Sequence, residues 1–205
     1  MYYFLSAIIG YLLGSLSPSY LLGKLKKVDM RNTGTKNLGA SNTFINVGRG
    51  WGIFVMFFDI FKAVAAVALC KWLFGEIALA GLIAGCAAVL GHNYPFYLGF
   101  KGGKGLASFG GFILGVSPAV FAVMLALCLG LAFLFNYGCV IALSAAVIFP
   151  FVAAFKYQSF AAFLITAVCS ACVFYKHAEN VRRIRAGEER KFRDFIGKYV
   201  FKGKN

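Results

Sequence analysis

Acidic residues are scarce in this sequence. The 205-residue chain carries seven Asp and Glu against 21 Lys and Arg, a formal net charge of +14. Its chemistry is therefore that of cations, suited to anionic head groups, phosphate esters or a membrane surface. Charged residues of both signs make up only 14% of the chain and hydrophobic ones 60%, against about 25% and roughly 45–50% in soluble domains. That balance excludes an ordinary soluble domain. Histidine is limited to His92 and His177. The pair Cys169-Ser-Ala-Cys172 has metal-site spacing but no second Cys-x-x-Cys and no histidine pair nearby, so no zinc or other metal is expected. The six cysteines lie in apolar segments and read as small hydrophobes. No basic residue precedes Lys24, which argues against a cleavable signal peptide. Internal repeats and low-complexity linkers are also absent.

What is there is a series of apolar runs, at about 2–23, 51–74, 77–91, 105–117, 118–135, 138–155 and 159–175. They predict an all-α, polytopic integral membrane protein of about seven transmembrane helices in one domain, 1–205. The third and fourth runs are short for a crossing of about 17–25 residues and are candidates for tilted or protein-buried helices. If all seven cross, the polar stretches 24–50, 92–104, Asn136-Tyr137 and 176–205 share one face and hold 18 of the 21 basic residues. The positive-inside rule then places the N terminus outside and the C terminus in the cytoplasm. Residues 182–205, mixing Phe192, Phe195, Ile196, Tyr199 and Val200 with basic residues, read as a basic amphipathic tail on the membrane surface.

Three stretches on that face carry chemistry. In RNTGTKNLGASNTFINVGRG (31–50), glycines alternate with Thr35, Asn37, Ser41 and Asn42, giving a loop able to present N–H groups to an anion before a helix capped at Ser41 or Asn42. In GHNYPFYLGFKGGKG (91–105), Lys101 and Lys104 flank Gly102 and Gly103. This is not a Walker A loop, because Leu98 stands where its first glycine belongs and Gly105 follows Lys104. In HAENVRRIRAGEER (177–190), His177 and Asn180 share one helix face, with Glu179, Arg182 and Arg183 on its flanks. Asp59 and Lys62, a turn apart in the second run, read as a structural ion pair.

GSLSPSYLLGKL (14–25), RNTGTKNLGASN (31–42), DIFK (59–62), GHNYPFYLGFKGGKG (91–105) and HAENVRRIRAGEE (177–189) stand in the order and spacing of a known family. Nearly end to end, the chain resembles the PlsY-type acylphosphate:glycerol-3-phosphate acyltransferases. The resemblance implies a seven-helix fold with a cytoplasmic-face site, an acyl-phosphate donor, glycerol 3-phosphate as acceptor, and lysophosphatidic acid plus phosphate as products. It implies His177, Asn180, Lys104 and Asn37 as catalytic groups. Thr35, Lys36, Ser41, Asn42, Arg49, His92, Lys101, Gly102 and Gly103 would contact substrate. Partners are the two substrates and membrane lipid, with no cofactor and no nucleic acid. The family usually has Ser-Gly-Asn at Thr35-Lys36-Asn37, arginine at Ile45 and serine at Ala142. Lys36 or Arg49 could replace the missing charge, or the acceptor could differ.

Two phosphate-bearing substrates held side by side need flexible backbone donors and several cations, which FKGGKG supplies. An acyl phosphate is already an activated anhydride, and neither a G-x-S-x-G elbow nor an H-x4-D pattern occurs, so direct attack by the hydroxyl is expected. His177 is expected as an orienting donor, with a substrate phosphate taking the proton. A phosphate-ester transporter is the rival reading, but it would place its charges near the midplane rather than on one face.

Overall fold

The computed structural model describes residues 1–75 and 77–198, so Tyr199 and Val200 of the expected tail lie outside the described residues. The described chain is all helix and turn: α1 (Tyr2–Ser15), α2 (Pro18–Leu25), α3 (Ala40–Asn46), α4 (Arg49–Leu73), α5 (Ala80–Asn93), a 3₁₀ turn at Phe96–Leu98, α6 (Leu106–Val116), α7 (Pro118–Phe135), α8 (Cys139–Tyr157), α9 (Phe160–Arg185) and α10 (Phe192–Ile196). Counting α1–α2 as one segment, five are long and apolar enough to cross a membrane, and the short α5 and α6 fall on the third and fourth apolar runs.

Local chemistry sets the boundaries. The first run is two helices rather than one, because Ser17 caps α2 by accepting from the Tyr20 N–H and Pro18 occupies its first turn. Ser117-Pro118 starts α7 in the same way, and Ser159 caps α9. The loop helix α3 is capped by Gly39, which puts Ser41 inside the helix instead of at its start. A break at Val47-Gly48 then separates α3 from α4.

The short α5 is the centre of the bundle. Twelve of its 14 residues are buried, and at 1.5 Å per residue it spans only about 21 Å of a hydrocarbon core of about 30 Å. Its small residues allow α1 to lie almost against its backbone: a Cβ at Gly10 or Gly14 would overlap the carbonyls of Ala84 and Ala88. Phe109, Phe112 and Phe149 fill the space between α6 and α8 with edge-on ring pairs 5.2–6.2 Å apart.

The loops sort to two ends of the bundle. At one, the Tyr2 ring lies 5.6 Å from that of Phe74, and Lys71 donates to the carbonyls of Gly115 and Val116. At the other, Arg31 donates to the Leu98 carbonyl, Lys104 to Asn180, and the Phe192 N–H to the Asn136 carbonyl. The four polar stretches of the sequence thus meet at a common end. Between α9 and α10 the chain turns at Gly187, which holds φ +73°. The tail is accordingly not one long surface helix over its described part: Phe192 packs on Phe133 and Phe195 on Phe44, at 5.1 and 6.1 Å.

Candidate active site

The glycine loop is built onto the end of α5. The N–H groups of Gly102 and Gly103 donate to the carbonyls of Asn93 and His92 at 3.1 and 3.0 Å. Gly103 lies flat against the His92 ring, where a Cβ would meet Nε2 and come within 2.8 Å of the Leu38 carbonyl. Only glycine allows that approach. Lys101 is exposed, and its carbonyl with that of Leu98 accepts from Arg31, so the first polar stretch is tied to the second.

Lys104 points at α9. Its Nζ donates to Asn180 Oδ1 at 2.6 Å, and Asn180 Nδ2 donates to Glu189 Oε1 at 2.7 Å. An ammonium only donates and a carboxylate only accepts, so the amide has one orientation. Glu189 Oε2 accepts from Arg183 Nε at 2.8 Å, and Arg183 also pairs with Glu179 at 3.1 Å. Burial, and next the charge of Arg183, pull the Lys104 ammonium below the ordinary lysine value of 10.5. Its charge is therefore lost as pH rises through that depressed pKa. Activity that depends on it is expected to decline on the alkaline side before an ordinary lysine would titrate, and Lys104→Arg, which stays charged, is expected to move that limb upward. A kcat/KM–pH profile identical in both proteins would separate Lys104 from the limb.

His177 is buried one turn from Asn180, and its Nδ1 lies 2.9 Å from the Val173 carbonyl. Since a carbonyl accepts, Nδ1 carries the hydrogen and the neutral ring presents Nε2 as an acceptor. The orienting-donor role expected from the sequence is thus closed to the neutral ring. Lys176 stacks over the Tyr94 ring at 4.2 Å, adding a cation beside the loop.

The remaining expected residues are placed differently. Asn42 is fully buried and spends its amide on the loop: Oδ1 accepts from the Thr35 N–H and from Asn46, and Nδ2 donates to the Met30 carbonyl. Thr35 and Asn37 are half-buried, while Lys36, with φ +52°, and Ser41 are exposed. Arg49 opens α4 and stacks on Phe44 at 6.0 Å, so the break at Gly48 removes the one-turn relation to Ile45 that a continuous helix would give. His92 turns Nδ1 into the buried pair of Asp59 and Lys62, which lie 2.7 Å apart, with Lys62 Nζ 3.0 Å from the ring. It supports the glycine loop from beneath. Glu189 was missed from the sequence; the signal was Gly187, whose turn returns the chain onto the face of Asn180 and Arg183.

The glycerol-3-phosphate acyltransferase family model matches residues 4–187. The chain belongs to that family. The acyltransferase is 40% identical over 207 residues to the glycerol-3-phosphate acyltransferase of Thermosipho melanesiensis, covering 100% of this chain and 99% of that relative. Against the enzyme of the same name from Thermoanaerobacter pseudethanolicus it is 35% identical over 192 residues, 93% of this chain and 96% of the relative. Its fold is similar to the crystal structure of PlsY, an integral membrane glycerol 3-phosphate acyltransferase, in the glycerol 3-phosphate form, with a TM-score of 0.83 and 34% identity over 93% of this chain and 95% of that one. The lysophosphatidic acid form gives a TM-score of 0.81 at 31% identity, over 92% of this chain and 94% of that one. The acyltransferase is thus an integral membrane enzyme of the class that acylates glycerol 3-phosphate.

Proposed function

We propose that the enzyme transfers a fatty acyl group from acyl phosphate to a hydroxyl of glycerol 3-phosphate, giving lysophosphatidic acid and phosphate. The reading further places the site at the cytoplasmic face, with the N terminus outside, in a single domain whose basic tail rests on the lipid surface. The observation that carries it is the Lys104–Asn180–Glu189–Arg183 chain, which joins the glycine loop to the end of α9 beside His177. Such a site offers cations for two phosphates and one basic nitrogen for a hydroxyl, while the Gly102 and Gly103 N–H groups hold the loop on α5.

The hydroxyl oxygen attacks the acyl carbon while its proton passes to His177 Nε2, the bond from that carbon to the bridging phosphate oxygen breaks, and the proton then moves to the departing phosphate. Lys104 holds phosphate, and Asn180 aims Lys104. Lys101, Gly102, Gly103, Thr35, Asn37 and Ser41 line the approach. Asn42 and His92 hold the loops in place. Purified protein given palmitoyl phosphate and glycerol 3-phosphate is expected to release phosphate in step with lysophosphatidic acid. Release without acylated glycerol phosphate would overturn the acceptor.

A second reading, another phospho-acceptor, draws on Ile45 and on Ala142, which is fully buried where the family's serine would stand. It is tested by charge compensation. Lys36→Ala is expected to lower kcat/KM about 10–100-fold, the equivalent of a lost charged hydrogen bond of about 1.5–3 kcal/mol. Ile45→Arg is expected to restore part of that loss. Rescue in neither the Lys36→Ala nor the Arg49→Ala background would point to a changed acceptor.

A further inference from the structure

Apart from the chain of contacts around Lys104, the described residues form an open cleft of about 350 Å³ between α2 and the turn that follows it. Tyr20, Lys24, Lys27, Asp29, Arg31 and Leu38 are among the residues lining it. Its volume falls in the range of small-ligand pockets, about 300–1,000 Å³. Lys24 and Arg31 both lie against the ring of Tyr20, at 5.0 and 5.7 Å. The one acidic residue there, Asp29, offsets only one of the three charges and is held by neutral donors: Oδ1 accepts from the Arg31 backbone N–H and Oδ2 from Asn32, at 3.0 and 2.7 Å. Among the described residues, no carboxylate lies within ion-pairing distance of Lys24, Lys27 or Arg31. Arg31 Nε is buried without a hydrogen-bond partner. Three cations against one carboxylate leave a net positive potential that an anion would relieve.

We propose that this cleft binds the phosphate of an anionic membrane lipid. The apolar surroundings identify the lipid as the source of the phosphate. The cleft sits at the end of the first membrane segment, Tyr2–Leu25, and on the same short helix Leu21 and Leu25 are 59% and 76% exposed, so acyl chains have an apolar face beside the basic one. A free phosphate would gain nothing from those leucines. Arg31 also connects the cleft to the catalytic end, since Nη2 donates to the Leu98 and Lys101 carbonyls at the edge of the glycine loop. Leu38 is shared too: it lines the cleft, and its carbonyl backs onto Gly103. A lipid phosphate drawing on Arg31 therefore acts on the loop that carries Lys101 and Lys104.

The probe is phosphatidylglycerol, whose diester head group is neither substrate nor product of the proposed reaction, so the outcome is independent of that reading. Its binding to the full-length, detergent-purified protein is measured by native mass spectrometry beside phosphatidylcholine of the same chains. Phosphatidylglycerol is expected to bind more tightly. The exposed-site variant Lys24→Gln/Lys27→Gln is expected to lose about thirtyfold in its affinity, two charges at about 1 kcal/mol each. Lys26→Gln removes an equal charge from the same turn but stacks on Trp51, at 5.6 Å, outside the cleft; its loss is expected to stay below about threefold. Unchanged affinity in the double variant would overturn the site. So would an equal loss per charge in Lys26→Gln, which would mean diffuse surface attraction. Displacement of the lipid by inorganic phosphate at an equal concentration would overturn the lipid as its occupant.

Discussion

Lys104→Ala is expected to lower kcat/KM by about 10²–10³-fold, the range for one preorganised donor lost from a site where charge develops. Both parameters should move. In the proposed site the ammonium would meet phosphate in the ground state, so its loss raises KM, and would meet the greater charge of the departing phosphate, so its loss lowers kcat. The structure adds a coupling. Because Lys104 donates to Asn180 Oδ1, Asn180→Ala in the Lys104→Ala background should cost far less than in the wild type. Additive losses would show that the two act separately. Wild-type kinetics for Lys104→Ala would reduce the glycine loop to a connector.

The second large effect is expected at His177. With Nδ1–H committed to the Val173 carbonyl, the only role open to the neutral ring is acceptance at Nε2. His177→Gln keeps polar character without a group that can take a proton near neutral pH. Its kcat is expected to fall about 10²–10⁴-fold with KM close to the wild-type value, the signature of a missing general base. Retention of more than about a tenth of kcat would transfer the proton to a substrate phosphate, whose second pKa, near 6 as in a phosphorylated side chain, makes it competent.

What could be read from the sequence was whatever is local and periodic. The seven apolar runs reappear as helical segments in order, and even the shortness of α5 and α6 was visible in run length. That Lys104 and Asn180 would come to one end of the bundle was legible from the glycine–lysine alternation and the polar helix face in so apolar a chain, and the structure joins them by a hydrogen bond. Long-range pairing was not legible. Nothing in the spacing says that Asn42 would exhaust its amide on Thr35, Asn46 and Met30, since those partners are chosen by how the loop closes. Nor does the spacing say that His92 would turn Nδ1 to Lys62, thirty positions away. The division of the first run was within reach: Ser17-Pro18 is a start signal, masked by the hydrophobicity on either side. Glu189 escaped because its position depends on a turn, and a turn cannot be seen in helical periodicity.

The burial of α5 bears on how the enzyme survives extraction. A helix of 14 residues packed on nearly every side is solvated by its neighbours rather than by lipid, and its hold on α1 rests on close backbone contact at Gly10 and Gly14. Contact of that kind is short-ranged, and a slight parting of the helices forfeits much of it. A harsh detergent that eases α1 away therefore reaches the platform of the glycine loop while α7, α8 and α9 are still intact helices. Catalytic competence is expected to be lost in such a preparation well before the circular dichroism signal changes.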